Sequence, residues 1–135
     1  MNERNEKAMR TEKLEKLLEQ TVLPVISAPM FLVSGPELVI ETCKNGIIGS
    51  FPLLNARNDV ILEEWLMTIK NELQRAKDDT KKVAPWAVNL ILHRSNHRFN
   101  SNLDLIRKYK PPIVITSLGN PQGITDIVHS YGGLV

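Results

Sequence analysis

The fold of this chain is decided by residues 86–117, which read WAVNLILHRSNHRFNSNLDLIRKYKPPIVITS. Two short apolar runs, Trp86 to Leu92 and Ile113 to Ser117, enclose a segment from Ser101 to Tyr109 whose apolar residues recur at helical spacing. The pair Pro111-Pro112 ends this helix before the second run begins. Because continuous apolar runs are typical of strands that are covered on both faces, the stretch predicts a parallel strand–helix–strand unit.

The same alternation continues towards both ends of the chain. Further strands are predicted at Pro24 to Ala28 and Ile47 to Phe51, and Leu134-Val135 is predicted to open a fifth. The remaining helices are predicted at residues 11–20, 34–44, 59–77 and 120–133, and the polar residues 1–10 are expected to be frayed.

The residues at the predicted helix ends support these boundaries. Ser34 and Glu37 have the spacing of a capping box, with Pro36 suited to the first turn. Asp59 is predicted to cap the following long helix. Gly46 is predicted to supply the left-handed stop of the helix before it.

This order of elements predicts an α/β fold with a parallel sheet, either an open doubly wound sheet or a closed barrel. A complete (β/α)8 barrel of the TIM type has about 250 residues, so this chain corresponds to its N-terminal half. We expect a leading segment with a short helix at residues 1–22 and the first four strand–helix units of an incomplete barrel at 23–135. Because a half-barrel leaves apolar sheet edges open, the chain is interpreted as a fragment.

Composition narrows the functional classes. Of the 135 residues, 42% are hydrophobic and 24% charged, which is typical of a globular protein. A net charge of +2 gives no basic face for nucleic acid, and the longest apolar runs fall far short of the roughly 20 residues of a membrane span. The polar N-terminus lacks the apolar core of a secretory signal, so a cytoplasmic location is expected. The single cysteine, Cys43, is predicted to be a small buried residue on a helix, and no metal site is predicted.

In parallel barrels, ligands bind at the carboxyl ends of the strands. Ala28, Pro29 and Met30 close the first strand. Pro29 fixes the backbone there and Met30 offers a polarisable surface to a flat ring, or the three residues only form a turn. Thr116 and Ser117 close the fourth strand and either line a pocket or simply finish the strand.

Asn89 is a polar side chain within an otherwise apolar strand. Because a buried amide must find partners, Asn89 is either bonded to the protein backbone or available to the polar edge of a cofactor. By alternation it shares a face with Ala87 and Ile91, which in a barrel is the interior.

Two other segments also follow strands. In residues 49–52, Gly49 allows close approach of the backbone to a ligand. After the third strand, His93 could move a proton and Arg94 could hold an anion, or the two belong to a hydrogen-bonded loop.

Particular strings of this sequence resemble the nitronate monooxygenases, formerly called 2-nitropropane dioxygenases. The resemblance covers residues 23–135 and is carried by four segments in the right order: 23–30 followed by 33–38, then 45–51, 86–96 and 113–119. It implies an FMN-bound barrel that uses oxygen to oxidise alkyl nitronates, and sometimes nitroalkanes, to carbonyl compounds and nitrite. The residues that the resemblance implies as cofactor contacts are Ala28, Pro29, Met30 and Asn89, with Thr116 and Ser117 nearby.

The resemblance also implies that the catalytic histidine and the loops that hold the FMN phosphate lie beyond Val135. None of His93, His97 and His129 matches the motif of that histidine, so no catalytic residue is assigned. We therefore expect the chain alone to bind FMN weakly and to turn over poorly.

Three alternatives remain open from the sequence. The first is an FMN-dependent barrel of the enoyl thioester reductase type, and the second is a barrel of the inosine monophosphate dehydrogenase type. The third is a non-catalytic truncated remnant. The expected partners are a small nitronate substrate and oxygen, together with a missing C-terminal half or a second copy of the chain that covers the open edges.

Overall fold

The computed structural model describes residues 3–79 and 82–135, with the side chains of residues 3–8 and 10 excluded. The elements follow one another as α1 (Glu3–Leu18), α2 (Pro36–Lys44), β1 (Gly49–Pro52), a 3-10 turn (Leu53–Asn55), α3 (Asp59–Asp78), β2 (Trp86–Ile91), α4 (Phe99–Tyr109), β3 (Ile113–Ser117) and α5 (Gln122–Ser130). None of the helices within these ranges combines the length and apolar character needed to cross a membrane.

The strands form a parallel sheet in the order β1-β2-β3. A parallel bridge between Ile26 and Ile48 adds a segment beside β1, and another between Ile113 and Leu134 adds a segment beside β3. Five parallel segments therefore lie side by side in chain order, with helices in the connections. The structure confirms the predicted α/β class with a parallel sheet.

The strand predictions are most accurate in the middle of the sheet. The range Ile113–Ser117 is confirmed as β3, and β2 ends at Ile91, one residue before the predicted end. The predicted first strand, residues 24–28, is reduced to the Ile26 bridge, with Ser27 N and Val25 O bonded to the backbone of Ile48 at 2.8 and 3.1 Å. Among the described residues this segment has a neighbouring strand on one side only. The second strand lies at 49–52 rather than 47–51.

The helix at the start of the chain is longer than predicted. It begins at Glu3 and ends at Leu18, so the expected fraying of residues 1–10 is wrong from Glu3 onward, while Met1 and Asn2 lie outside the described residues.

Two of the predicted helix caps are wrong. The cap of α2 is Gly35, and the Ser34 hydroxyl accepts a hydrogen bond from Met30 N (2.9 Å) instead of closing a capping box. Asn58 caps α3 through its side-chain oxygen, which accepts from Ile61 N at 2.9 Å, whereas Asp59 is the first residue inside the helix. The predicted stop at Gly46 is correct, since its φ is 78°.

The sheet is covered on both faces. On the outer face, Val88, Leu90 and Val114 pack in one core with buried side chains of α2, α3, α4 and α5. On the opposite face, the residues at the start of the strands pack against Leu17 of α1; this second cluster contains Leu17, Ile48, Ala84, Ala87 and Ile113, with Ile115 and Leu134 partly buried beside it. We call this second face the inner face. Helix α1 therefore closes the inner face at the amino ends of the strands and leaves the carboxyl ends to the site.

Candidate functional site

The carboxyl ends of the parallel segments meet at one edge of the sheet. The register pairs Pro52 with Asn89 and Ile91 with Ser117, so the last residues of β1, β2 and β3 lie at neighbouring positions. The first loop (residues 27–35), which connects the Ile26 bridge to α2, begins at the same edge because all these segments run parallel. The carboxyl edge of the sheet therefore brings together the loops that carry the predicted site residues.

Asn89 is the polar centre of this edge. It is half-buried, and its side-chain nitrogen donates to the backbone oxygen of Ile115 and to the hydroxyl of Ser117, both at 3.0 Å. A carbonyl oxygen can only accept, so the bond to Ile115 fixes which end of the amide is nitrogen. Both amide hydrogens are thus used within the protein. The side-chain oxygen of Asn89 has no hydrogen-bond partner among the described residues.

The position of Asn89 on the strand directs it to the inner face. Ala87, two residues earlier, is fully buried in the inner-face cluster, and successive residues of a strand alternate between faces. The sequence left two roles open for Asn89. Its side-chain nitrogen bonds to the protein, and its side-chain oxygen is available to the polar edge of a cofactor.

Ser117 and Thr116 face opposite sides of the sheet. Ser117 lies on the side of Ile113 and Ile115, and its hydroxyl accepts the bond from Asn89, which leaves its own hydrogen to be donated. Thr116 alternates onto the side of Val114, which packs among the helices. The structure therefore joins Ser117 to Asn89 by a hydrogen bond, whereas Thr116 lines an apolar groove instead.

The first loop presents both backbone and side chain at the site edge. Ala28 and the Met30 side chain are exposed, and Pro29 is half-buried. The backbone of Met30 is fixed at both ends: its N–H donates to the Ser34 hydroxyl (2.9 Å), and its carbonyl oxygen accepts from the side chain of Asn55 (2.9 Å).

Asn55 is a site residue that the sequence analysis missed. It lies in the 3-10 turn directly after β1, and all its bonds go to the first loop: its nitrogen donates to Met30 O and Ser34 O (both 2.9 Å), and its oxygen accepts from Leu32 N (3.1 Å). In the sequence, Asn55 is marked only as an asparagine three residues after the segment 49–52. In that segment, Gly49 makes room for a helix rather than a ligand, since a Cβ there would lie 2.6 Å from the carbonyl oxygen of Val39.

The loop after β2 is held by its own hydrogen bonds. His93 Nδ1 lies 2.9 Å from the Ser95 hydroxyl and accepts from Ser95 N at 3.2 Å, while the buried Asn96 donates to Ile91 O at 2.9 Å. Of the two alternatives for His93 and Arg94, this geometry favours the hydrogen-bonded loop.

Arg98 fixes the end of this loop to α3. Its guanidinium bonds Asp59 Oδ1 at 2.8 Å and Ala56 O at 2.6 Å. Burial opposes ionisation of Asp59, but hydrogen bonds from Ser101 and Arg98, together with the charge of Arg98, outweigh it and lower the pKa of Asp59. These contacts connect the starts of α3 and α4 and serve the scaffold of the site.

Cys43 is buried on α2, as predicted. Burial raises the pKa of its thiol from 9.0 to about 11, and its sulfur contacts Gly49 N (3.3 Å) and Pro85 O (3.5 Å). The thiol is therefore a packing group and not a nucleophile. In the described part of the chain, no group of three or more His, Cys, Asp or Glu side chains is arranged to hold a metal ion.

An apolar groove of about 720 Å³ opens beside the inner face. Its walls combine Leu17 of α1 with residues at the amino ends of the strands, such as Ile48 and Leu134. Thr116 of β3 and His129 of α5 also line it, whereas Asn89, Ser117 and residues 28–30 do not.

The fold and the edge together define a class: a parallel α/β protein with polar side chains gathered at the carboxyl ends of its strands. Two similar solved structures are FabK from Thermotoga maritima, at 19% identity and a TM-score of 0.71, and a point mutant of the same protein, at 18% and 0.70. Each match covers 90% of this chain but only 35% and 37% of the matched chains, so this chain spans just over a third of their length. At this identity the similarity shows the fold, which matches a fragment of a TIM barrel.

No protein-family model matches the sequence, and no match was found among curated proteins.

Proposed function

We propose that this chain is the flavin-contacting part of an FMN-dependent barrel oxidoreductase, and that its reaction is the oxidation of alkyl nitronates or nitroalkanes to carbonyl compounds and nitrite with oxygen. The observation that carries the proposal is the arrangement of Asn89. Its nitrogen is fixed by Ile115 and Ser117, and its oxygen is left as an acceptor on the inner face.

The residues at this edge fit the ring of a flavin. The polar edge of the ring carries an N–H donor flanked by carbonyl acceptors, and the rest of the ring is flat and largely apolar. Asn89 offers an acceptor and Ser117 a hydroxyl donor side by side, while the exposed Met30 side chain offers an apolar surface to the rest of the ring. When bound, FMN supplies the two-electron chemistry, and the protein contributes binding and orientation.

Each residue then has a defined task in the proposal. Asn89 and Ser117 orient the polar edge of the ring by hydrogen bonds. The backbone of Ala28 and Pro29 and the side chain of Met30 form the contact from the first loop, where the exposed thioether offers a polarisable surface. Thr116 lines the apolar groove and makes no hydrogen bond to Asn89 or Ser117, so it has no task in this proposal.

The second candidate is an FMN-dependent enoyl thioester reductase. The similarity to FabK over 90% of this chain favours it over the inosine monophosphate dehydrogenase type. Both candidates share the flavin contacts proposed above, so they differ in the substrate and in the electron donor rather than in the roles of Asn89 and Ser117.

Anaerobic flavin reduction separates the candidates. The purified chain, saturated with FMN, is mixed with propionate-3-nitronate or with NADPH. The loss of visible flavin absorbance is followed over time, and the same reaction with free FMN is the control. Faster bleaching by the nitronate is the expected result, and faster bleaching by NADPH would replace the first candidate with the second. Rates equal to those of free FMN with both reductants would show that this chain alone is not catalytic, in line with its expected poor turnover.

A further inference from the structure

The first loop holds its shape without the packing of its side chains. Phe31, Leu32 and Val33 are 70%, 79% and 65% exposed, although all three are large and apolar. Leu32 also has a φ of 61°, in the left-handed region that residues with a Cβ seldom adopt. Hydrogen bonds must therefore hold this conformation.

Those bonds converge on Asn55. Within the loop, Ser34 N and Val33 N bond to Met30 O at 3.0 and 3.3 Å, which closes a tight turn. Asn55 adds one bond to each of three loop residues, Met30, Leu32 and Ser34, so that the amide of a single side chain spans the turn. The bond to Leu32 N lies directly beside the strained φ angle.

We infer that Asn55 is a positioning residue, which sets the backbone of Pro29 and Met30 for contact with the flavin ring. This inference rests on the proposed function, because it takes the first loop as a flavin contact. Its physical basis is the bond from Asn55 to Met30 O, which fixes the residue next to Pro29 from the neighbouring strand end. Loss of that side chain frees the loop to leave the left-handed conformation, and the backbone at Pro29 and Met30 then loses its fixed direction.

The chain provides a matched control in Asn58. It is the same residue type three positions later, and its side chain caps α3 by accepting from Ile61 N. Asn55→Ala and Asn58→Ala each remove one asparagine amide from the same connection, but only Asn55 touches the first loop. Asn55→Asp keeps the acceptor for Leu32 N and removes both donors, so it serves if the alanine variant does not fold.

Two readouts test the inference on the full 135-residue chain. Hydrogen exchange of the Leu32 amide without FMN reports the bond from Asn55 to the loop, and quenching of FMN fluorescence reports the affinity of the chain for FMN. We expect Asn55→Ala to speed Leu32 exchange about 10-fold and to raise the Kd for FMN about 10-fold, since several hydrogen bonds are lost. Asn58→Ala should change both by less than about 2-fold, because its effect lies at the start of α3.

Unchanged Leu32 exchange in Asn55→Ala would overturn the inference, and so would faster exchange with an unchanged Kd. If the wild-type chain binds no FMN even at high concentration, the proposed function fails and the flavin role of Asn55 fails with it. The exchange ratio between Asn55→Ala and Asn58→Ala would then show by itself whether Asn55 holds the loop.

Discussion

The side-chain nitrogen of Asn89 on β2 lies 3.0 Å from the hydroxyl oxygen of Ser117 at the end of β3. The same nitrogen lies 3.0 Å from the carbonyl oxygen of Ile115. This pair of bonds is possible only if the amide nitrogen of Asn89 faces β3. The amide oxygen of Asn89 then points away from β3.

Replacing Asn89 by aspartate tests that orientation. In Asn89→Asp a carboxylate oxygen would face the Ile115 carbonyl, and two acceptors at this distance repel. We expect a loss of about 1–3 kcal/mol in the free energy of unfolding at neutral pH, measured in urea. Because the protonated acid can donate to Ile115, the loss should shrink as pH falls through the raised pKa of this carboxyl. Equal stability of the two proteins at all pH values would contradict the assigned orientation.

Gly49 permits the close approach of α2 to the sheet. A Cβ there would lie 2.6 Å from Val39 O and 2.9 Å from Val39 Cα, both backbone atoms that cannot move aside cheaply. Gly49→Ala should lower the free energy of unfolding by about 2 kcal/mol or more. Gly123→Ala is the control, since nothing lies within 4 Å of its added Cβ on α5. Alanine should leave the stability unchanged or raise it by up to about 1 kcal/mol. Chemical denaturation gives the free energy of unfolding of both variants. Equal changes in Gly49→Ala and Gly123→Ala would contradict the close packing at Gly49.

The thiol of Cys43 should be inert in the native chain. A pKa raised from 9.0 to about 11 lowers the thiolate fraction near neutral pH by about 100-fold, and burial restricts access further. We expect reaction with a thiol-specific disulfide reagent to be at least about 100-fold slower in the native state than in urea. The raised pKa also means that the stability from the neutral thiol is complete below pH 9 and is lost as pH rises towards 11. Native and denatured rates within a factor of a few would show that Cys43 is accessible.

The central strands could be predicted because local pattern and tertiary environment agree there. The run Ile113–Ser117 is apolar, is preceded by two prolines and becomes a strand with neighbours on both sides. The prediction of a first strand at 24–28 was less accurate. The apolar run there does not reveal that the segment pairs with a neighbour on one side only, at Ile26. Register within a strand matters as well: Thr116 and Ser117 looked equivalent in sequence, but alternation sends them to opposite faces.

The polar bonds were harder to predict because they join distant parts of the chain. Ser34 has the local spacing of a helix cap, yet its hydroxyl bonds Met30 in the loop before it. Asn58 and Asp59 are both good capping residues, and only the backbone geometry assigns the cap to Asn58. Asn55 acts 21 to 25 residues back along the chain, and no local pattern predicts such a contact. Asn89 was identified because a polar residue in an apolar strand needs a partner wherever that partner lies.

The most direct test of the account is a titration of FMN with the wild-type chain and with Asn89→Leu, followed by quenching of flavin fluorescence. Leucine has a similar size but no acceptor, so the account predicts saturable quenching by the wild type and a Kd about 10-fold higher for the variant, which corresponds to about 1.4 kcal/mol. Circular dichroism of both proteins checks that the fold is kept. Identical affinities for wild type and variant, or no saturable binding by either, would contradict a flavin site centred on Asn89.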